Sequence, residues 1–405
     1  MKNQEEIMLH QSHHPFLNSS ERIEPRFFAH LLSASLLALC FALTVPGLAQ
    51  AKPANPHPGQ QSEPSPAVRW GPVLGIMQSD AASLQWATNV PMSCAVELDG
   101  VVATPTTARG IYHAARLTGL KQDSAYKARI VMTAPKKQKT FSASFGFRTP
   151  PKALKNWAFL AFGDTRTNHD AHGKIIQTLL KAFPRPEFLI HTGDLTENGT
   201  LPALWDRFFE IERPVLERMP FLAVCGNHEQ RGPTYFGMFS NPLSQGNRPC
   251  SWYSFRYGNA VFLVLDPKDR FSEQTGFIDR VLSAADRDGV KWRIVACHYP
   301  VFSSGPHGNN QQEIDNWAPL FEKYHVQLAF FGHDHLYERN VKEPVTYLTL
   351  GGGGAPLCQP KQGLNPYSVK LLSILHLARI TVSETALSVS VIGLDGNPID
   401  SFTIK

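Results

Sequence analysis

Five apolar runs in this chain end abruptly in residue types that bind metal ions. Trp157-Ala-Phe-Leu-Ala-Phe162 runs into Gly163-Asp164, and Phe188-Leu-Ile190 runs through His191-Thr192 into Gly193-Asp194. Phe221-Leu-Ala-Val-Cys225 ends in Gly226-Asn227-His228-Glu229, and Arg293-Ile-Val-Ala-Cys297 in His298-Tyr299-Pro300. Val326-Gln-Leu-Ala-Phe-Phe331 closes on Gly332-His333-Asp334-His335. Carboxylates, an amide and imidazoles are the oxygen and nitrogen donors that iron, zinc and manganese accept. A shared carboxylate can hold two such ions about 3.5–4 Å apart, clamping the attacking and leaving oxygens of an in-line displacement at phosphorus. Singly, each motif has a bland reading: a Gly-Asp after a strand is more often a turn, and a lone histidine more often structural. Five in order, each at a strand end, are hard to explain as turns.

The elements that must position these residues follow from the same pattern. Read as strands of one sheet, the runs place their C-terminal ends along a single crevice, where open α/β sheets bind ligands. A glycine before the first donor lets the backbone turn sharply out of the strand. Helical stretches are expected over 173–183, 203–217, 276–286 and 312–324, which makes 150–405 a layered α/β domain. Strands are expected in the tail over 377–382, 386–392 and 401–404. Upstream, 67–149 holds short alternating runs at 84–88, 94–98, 112–117 and 126–130 with no helical pattern, as an all-β immunoglobulin-like sandwich does. No catalytic constellation lies in it, so it reads as a packing or spacing module.

The N-terminus carries an address. Arg22 and Arg26 precede an apolar run from Phe27 to Val45, and Ala49-Gln50-Ala51 supplies the small residues a signal peptidase reads. A signal peptide over 1–51 and a linker over 52–66, rich in Pro, Gln, Ser and His, are expected, giving an exported protein without a stable membrane span. The run is also long enough for an uncleaved anchor. Five cysteines remain beyond Ala51, in no metal or redox spacing. Cys225 and Cys297 read as small buried residues, while Cys250 and Cys358 lie in loop-like sequence and can pair in an oxidising compartment. The formal net charge of +5 comes without a Lys/Arg run, which argues against specific nucleic-acid binding. The absence of a Gly-x-Ser-x-Gly elbow argues against a serine nucleophile.

Taken together, the motifs resemble the calcineurin-like metallophosphoesterase superfamily, and within it the purple acid phosphatases and their bacterial relatives. Gly332-His-Asp-His-Leu-Tyr-Glu-Arg339 and the Gly351–Gly354 run carry the likeness to the latter. Trp86 and Leu117-x-x-Leu120…Tyr126 are similar to the core of a fibronectin type III-like domain. The resemblance implies a dinuclear centre of divalent or trivalent ions (Fe, Zn or Mn), acting on a small phosphate ester through a hydroxide generated on the metals. Asp194 would bridge the metals; Asn227, His298 and His333 would complete one site, and Asp164 with His335 the other. His228 would face the phosphate, stabilising its oxygens or assisting the leaving group. His307, in the loop after His298, would be a second proton donor, the alternative being an exposed loop histidine.

The chain departs from the family pattern twice. Asp164-Thr165-Arg166 stands where many members have Asp-x-His, and Glu197 stands where purple acid phosphatases have a tyrosine three residues past the bridging Asp. Without that tyrosine no tyrosinate-to-iron absorption band is expected. Glu197, Asn198, His169, His172 or water can fill the missing ligand position. Arg166 can grip phosphate bidentately there, or be an exposed loop arginine. Two alternatives to a phosphomonoesterase stay open: a phosphodiesterase or nucleotidase on the same metals, and a non-catalytic binding protein with an incomplete centre.

Overall fold

A computed structural model describes residues 65–99, 101–104, 107–133, 140–183, 186–239, 251–361, 363 and 365–405. The expected signal peptide, nearly all of the 52–66 linker, and Cys250 of the suggested Cys250–Cys358 pair lie outside the described residues.

The first part of the described chain is built from strands alone: β1 (Val68–Met77), β2 (Ala81–Leu98), β3 (Val101–Val102), β4 (Gly110–Thr118), β5 (Ala125–Thr133) and β6 (Thr140–Arg148). The runs at 84–88 and 94–98 are not two strands but one. A register shift between Ala87 and Met92, around Pro91, lets β2 pair β1 and β4 with its first part and β3 and β5 with its last. Proline has no N–H for a ladder and is tolerated at such a bulge. Leu84, Trp86, Cys94, Val96, Ile130 and Met132 alternate inward to fill the core.

Two mixed sheets follow. The first contains β7 (Trp157–Phe162), β8 (Leu189–His191) and β9 (Phe221–Ala223) in parallel. The second runs through β10 (Tyr253–Tyr257), β11 (Ala260–Leu265), β12 (Trp292–Cys297), β13 (Leu328–Phe331), β14 (Tyr337–Lys342), β15 (Val345–Leu350) and β16 (Ser368–Leu372), in the order β10-β11-β12-β13-β15-β14-β16. The tail strands β17 (His376–Val382), β18 (Leu387–Gly393) and β19 (Pro398–Ile404) return to the first sheet, which reads β19-β18-β17-β7-β8-β9. The donor-bearing strands therefore do not share one sheet, as the sequence pattern suggested: β7, β8 and β9 lie in one and β12 and β13 in the other. Periodicity shows that a strand is buried on both faces; it does not say which sheet the strand joins.

Strand alternation explains the stacking. In β7, Trp157, Phe159 and Ala161 point into the core between the sheets, with Phe262, Phe330 and Ile380. Leu160 and Phe162 point the other way, onto helices α1 (His169–Ala182) and α2 (Pro202–Leu216). On the far side, Val261, Leu263 and Val295 pack under α4 (Phe271–Arg287), α5 (Gln311–Asn316) and α6 (Ala318–Lys323). The order is α/β/β/α, with the short α3 (Pro233–Phe239) beside the β-rich part. α1 starts earlier than the apolar pattern indicates because the Asn168 side chain accepts from the Ala171 N–H at 3.1 Å and caps it. The helix expected over 312–324 is two helices broken at Trp317, since Pro319 has no N–H and its ring crowds the preceding turn.

The β-rich part is joined to the layers through shared core. Trp70 stacks on Phe209 at 5.7 Å and donates from Nε1 to Asp206 at 2.7 Å, while Arg69 donates to both Asp206 oxygens at 2.9 and 2.8 Å. Tyr112 and Thr234 hydroxyls meet at 2.8 Å. Packing, not mere spacing, is thus what these strands supply. Removing one carboxylate that serves three donors, two of them on a half-exposed arginine, costs about 1–2 kcal/mol. Asp206→Ala should lower the denaturant midpoint accordingly without altering metal uptake.

His376 at the start of β17 is fully buried. Its Nδ1–H donates to Ile374 O at 2.8 Å, its Nε2 has no hydrogen-bond partner among the described residues, and burial pushes its pKa down to about 4. A folded-state value below the unfolded one means stability is complete above about pH 6.5 and declines as pH falls toward 4. His376→Gln should flatten the fall in thermal midpoint over that window, measured against the parent chain.

Candidate metal centre

The two sheets bring their strand ends together, and the turns there are strained. Asp164, Asp194 and His333 have φ of 59°, 55° and 70°, a left-handed region that non-glycine residues seldom occupy and that marks functional sites. The sharp turn is thus made largely by the donor residues themselves. Their glycine neighbours serve mainly close approach: a Cβ on Gly332 would lie 2.3 Å from Asp164 Oδ2. Gly193, itself at φ +102°, could not carry one 2.6 Å from His298 Nδ1.

Second contacts fix which atom of each donor faces inward. His298 Nδ1–H donates to Thr192 O at 2.9 Å, so the bare Nε2 points into the cleft, 3.1 Å from Asn227 Oδ1 and 3.4 Å from Asp194 Oδ1. His335 Nδ1–H donates to Pro356 O at 2.7 Å, leaving its Nε2 3.6 Å from Asp164 Oδ1. Lone pairs converging in this way suit a cation, and at His335 Nε2 the Arg166 Nη2–H already approaches to 3.4 Å. Asp194, His298 and His333 each offer an atom within 4.8 Å of the others, and so do Asp164, Asp194 and His335. Asp194 is common to both groups. The six side chains singled out as ligands therefore lie in one cleft, and the donor set suits two ions bridged by Asp194.

The electrostatics agree with that fit. Asp164 is fully buried, and burial followed by the nearby Asp194 charge raises its pKa well above the carboxylate range. Burial, then His298, holds His333 down to about 2. The protein alone thus resists charging Asp164 and keeps His333 neutral, which a metal ion reverses for the first and requires for the second.

Glu229 is the residue the sequence reading passed over. It is fully buried and accepts backbone N–H groups of Asp194 at 3.0 Å, Leu195 at 2.8 Å and Gly226 at 2.7 Å. Burial, then Asp194, raises its pKa to about 8. It clamps the Asp194 and Asn227 turns to each other. The signal was present, since Glu229 ends Gly-Asn-His-Glu, but nothing local in sequence tells a ligand from a turn clamp.

Of the other singled-out residues, His228 donates from Nδ1 to Glu197 O at 2.6 Å and turns Nε2 toward Asp194 Oδ2 at 3.9 Å. His307 stacks on His333 with ring centroids 3.9 Å apart and donates from Nδ1 to buried Asp334 at 2.7 Å. Asp334 and Ser303, also hydrogen-bonded to each other, hold the loop that bears it. Glu338 accepts from the Ser304 N–H and hydroxyl, and Tyr337 and Arg339 both bind Asp400, bracing the last motif.

Arg166 is not an exposed loop arginine. Its side chain is 17% exposed and lies at the Asp164/His335 position, with Nε 3.5 Å from Asp194 Oδ2, Nη2 3.4 Å from His335 Nε2 and Nη1 3.2 Å from Glu197 Oε2. Glu197 also accepts from Thr167. His172 is committed to Glu212 at 2.8 Å in the core, and the Asn198 carbonyl accepts from Thr200, so neither is free to ligate. His169 is half-buried and belongs to neither donor group.

Residues 158–337 match the family model described as calcineurin-like phosphoesterase, and the fold is purple acid phosphatase-like. A solved purple acid phosphatase from yellow lupin superposes with a TM-score of 0.70 at 20% identity, covering 84% of this chain and 74% of that one. A "Probable inactive purple acid phosphatase 1" of Arabidopsis thaliana is 26% identical over 354 residues, 73% of this chain and 56% of its own length. A nucleotide pyrophosphatase/phosphodiesterase of Hordeum vulgare is 24% identical over 341 residues, 70% of this chain and 90% of its own. The chain spans about half the length of the Arabidopsis relatives it matches. Among the described residues no helix is long and apolar enough to cross a membrane.

Proposed function

We propose that the chain hydrolyses small phosphate esters, as a phosphomonoesterase, at a dinuclear metal centre held by Asp164, Asp194, Asn227, His298, His333 and His335. The observation that carries this is the pair of donor groups sharing Asp194. When bound, the ions supply charge for the phosphoryl oxygens and a nucleophile from water near neutral pH. The chain's own residues do the rest. Nδ1–H contacts to Thr192 and Pro356 aim His298 and His335. Arg166 offers guanidinium donors to a phosphate oxygen. His228, oriented by the Glu197 carbonyl, would present Nε2 to the reacting group, and His307, oriented by Asp334, would move a proton to or from the ester oxygen.

The barley relative's name favours a second reading, a phosphodiesterase or nucleotidase on the same centre. The name "inactive" on several Arabidopsis relatives and the arginine in the ligand position support a third, a non-catalytic binding protein. Matched aryl phosphate mono- and diesters separate them. The proposal expects the monoester to be turned over at least tenfold faster; preference for the diester moves the assignment to the second reading, and turnover of neither to the third. The Phe27–Val45 run and Ala49-Gln50-Ala51 support export, and the strand pattern of 68–148 supports a fibronectin type III-like leading domain.

A further inference from the structure

Two donor groups share Asp194, yet they are not equivalent. Around His298 the neighbouring atoms are acceptors: Asn227 Oδ1 at 3.1 Å and Asp194 Oδ1 at 3.4 Å. Around His335 a cation already stands. Arg166 places Nη2 3.4 Å from His335 Nε2 and Nε 3.5 Å from Asp194 Oδ2, so it touches two of the three donors of that group. Its Nε is buried and makes no hydrogen bond among the described residues, while Nη1 is tied to Glu197 and Thr167. Arginine stays charged at any working pH. An ion entering among Asp164, Asp194 and His335 therefore meets a fixed like charge in contact with its donors, whereas at the other position the Lys268 ammonium acts on His333 from over the Tyr299 ring.

We propose that Arg166 makes the two metal positions unequal, and that a phosphate-type anion evens them. The inference rests on the dinuclear reading above. In the free chain the Asn227/His298/His333 position fills first, and the Asp164/His335 position fills weakly. An anion bridging the second ion and the guanidinium turns the repulsion into attraction on both sides, and it satisfies the idle Nε–H with a charged acceptor. Second-metal uptake and anion binding then reinforce each other, and by linkage equally in both directions. A loaded substrate thereby completes its own site.

The test is calorimetric titration of manganese(II) into the chelator-stripped chain, with and without millimolar inorganic phosphate, with bound metal counted by elemental analysis. Free manganese is corrected for its binding to phosphate. The parent chain should show one tight equivalent and a second at least tenfold weaker. Phosphate should tighten the second by about 5–150-fold, the usual range of coupling between sites. Arg166→Met, which keeps the apolar stem, and Arg166→Ala should both narrow the gap and abolish the phosphate effect, with circular dichroism confirming the fold. Two equal, phosphate-indifferent equivalents in the parent chain overturn the inference and leave the dinuclear reading standing, as does a gap unchanged in both folded variants. Uptake of no metal under any condition overturns the reading and the inference together.

Discussion

Asp194→Asn lowers turnover of an aryl phosphate monoester on the order of a thousandfold or more while the chain stays folded. Asparagine keeps the volume and the Oδ1 that accepts the His228 N–H at 3.0 Å. What it removes is the single negative charge common to both donor groups. A metal pair contributes several kcal/mol of transition-state stabilisation, and each 1.36 kcal/mol is tenfold in rate. The same change relieves the crowding of Asp164 and Glu229, whose pKa values Asp194 helps to raise. The metal-free variant should therefore unfold at a higher temperature than the metal-free parent, so that function falls as stability rises. Steady-state kinetics and a melting curve on chelator-treated protein check both halves. Retention of two metals and parental turnover would remove Asp194 from the bridging role.

Glu229→Ala acts on the other side of the balance, by destabilising the chain. Alanine leaves three buried backbone N–H groups, those of Asp194, Leu195 and Gly226, without an acceptor. Each orphaned group costs about 1–3 kcal/mol, and partial relaxation keeps the total near 4 kcal/mol. The Asp194 and Asn227 turns lose their common anchor, so metal uptake should weaken even where the chain folds. Glu229→Gln should fall between: its one carbonyl oxygen replaces an acceptor, and its NH₂ group faces donors. Urea unfolding reports the stability and metal analysis the uptake; a loss under 1 kcal/mol with parental uptake contradicts the clamp.

How much of this was legible follows from the length scale of each signal. The strands ending in donors were legible because each is buried on both faces and reads as an unbroken apolar run. β7 and β13 lie within the runs that mark them, β12 begins one residue before its run, and the tail strands β17, β18 and β19 overlap the segments expected. The placement of those strands in two sheets was not, because pairing is a long-range fact that a 6-residue run does not carry. The runs at 84–88 and 94–98 read as two strands, yet β2 spans both on a bulge around Pro91, since the chain there changes partners instead of stopping. At the centre, donor types and order were visible, while orientation was not. The tautomers of His298 and His335 are set by the Thr192 and Pro356 carbonyls, which any residue type supplies. Arg166 shows the same limit: sequence poses it against a missing ligand, and only packing puts its guanidinium beside Asp194 and His335.

On the proposed reading, the chain hydrolyses phosphate monoesters at a metal pair held in this cleft. That reading is tested most directly by stripping the purified chain with a chelator and assaying an aryl phosphate monoester before and after iron, zinc or manganese is restored. Turnover should vanish with the metal and return as each chain regains two equivalents. Turnover indifferent to metal, or none in a folded chain holding two equivalents of any of these ions, would contradict it.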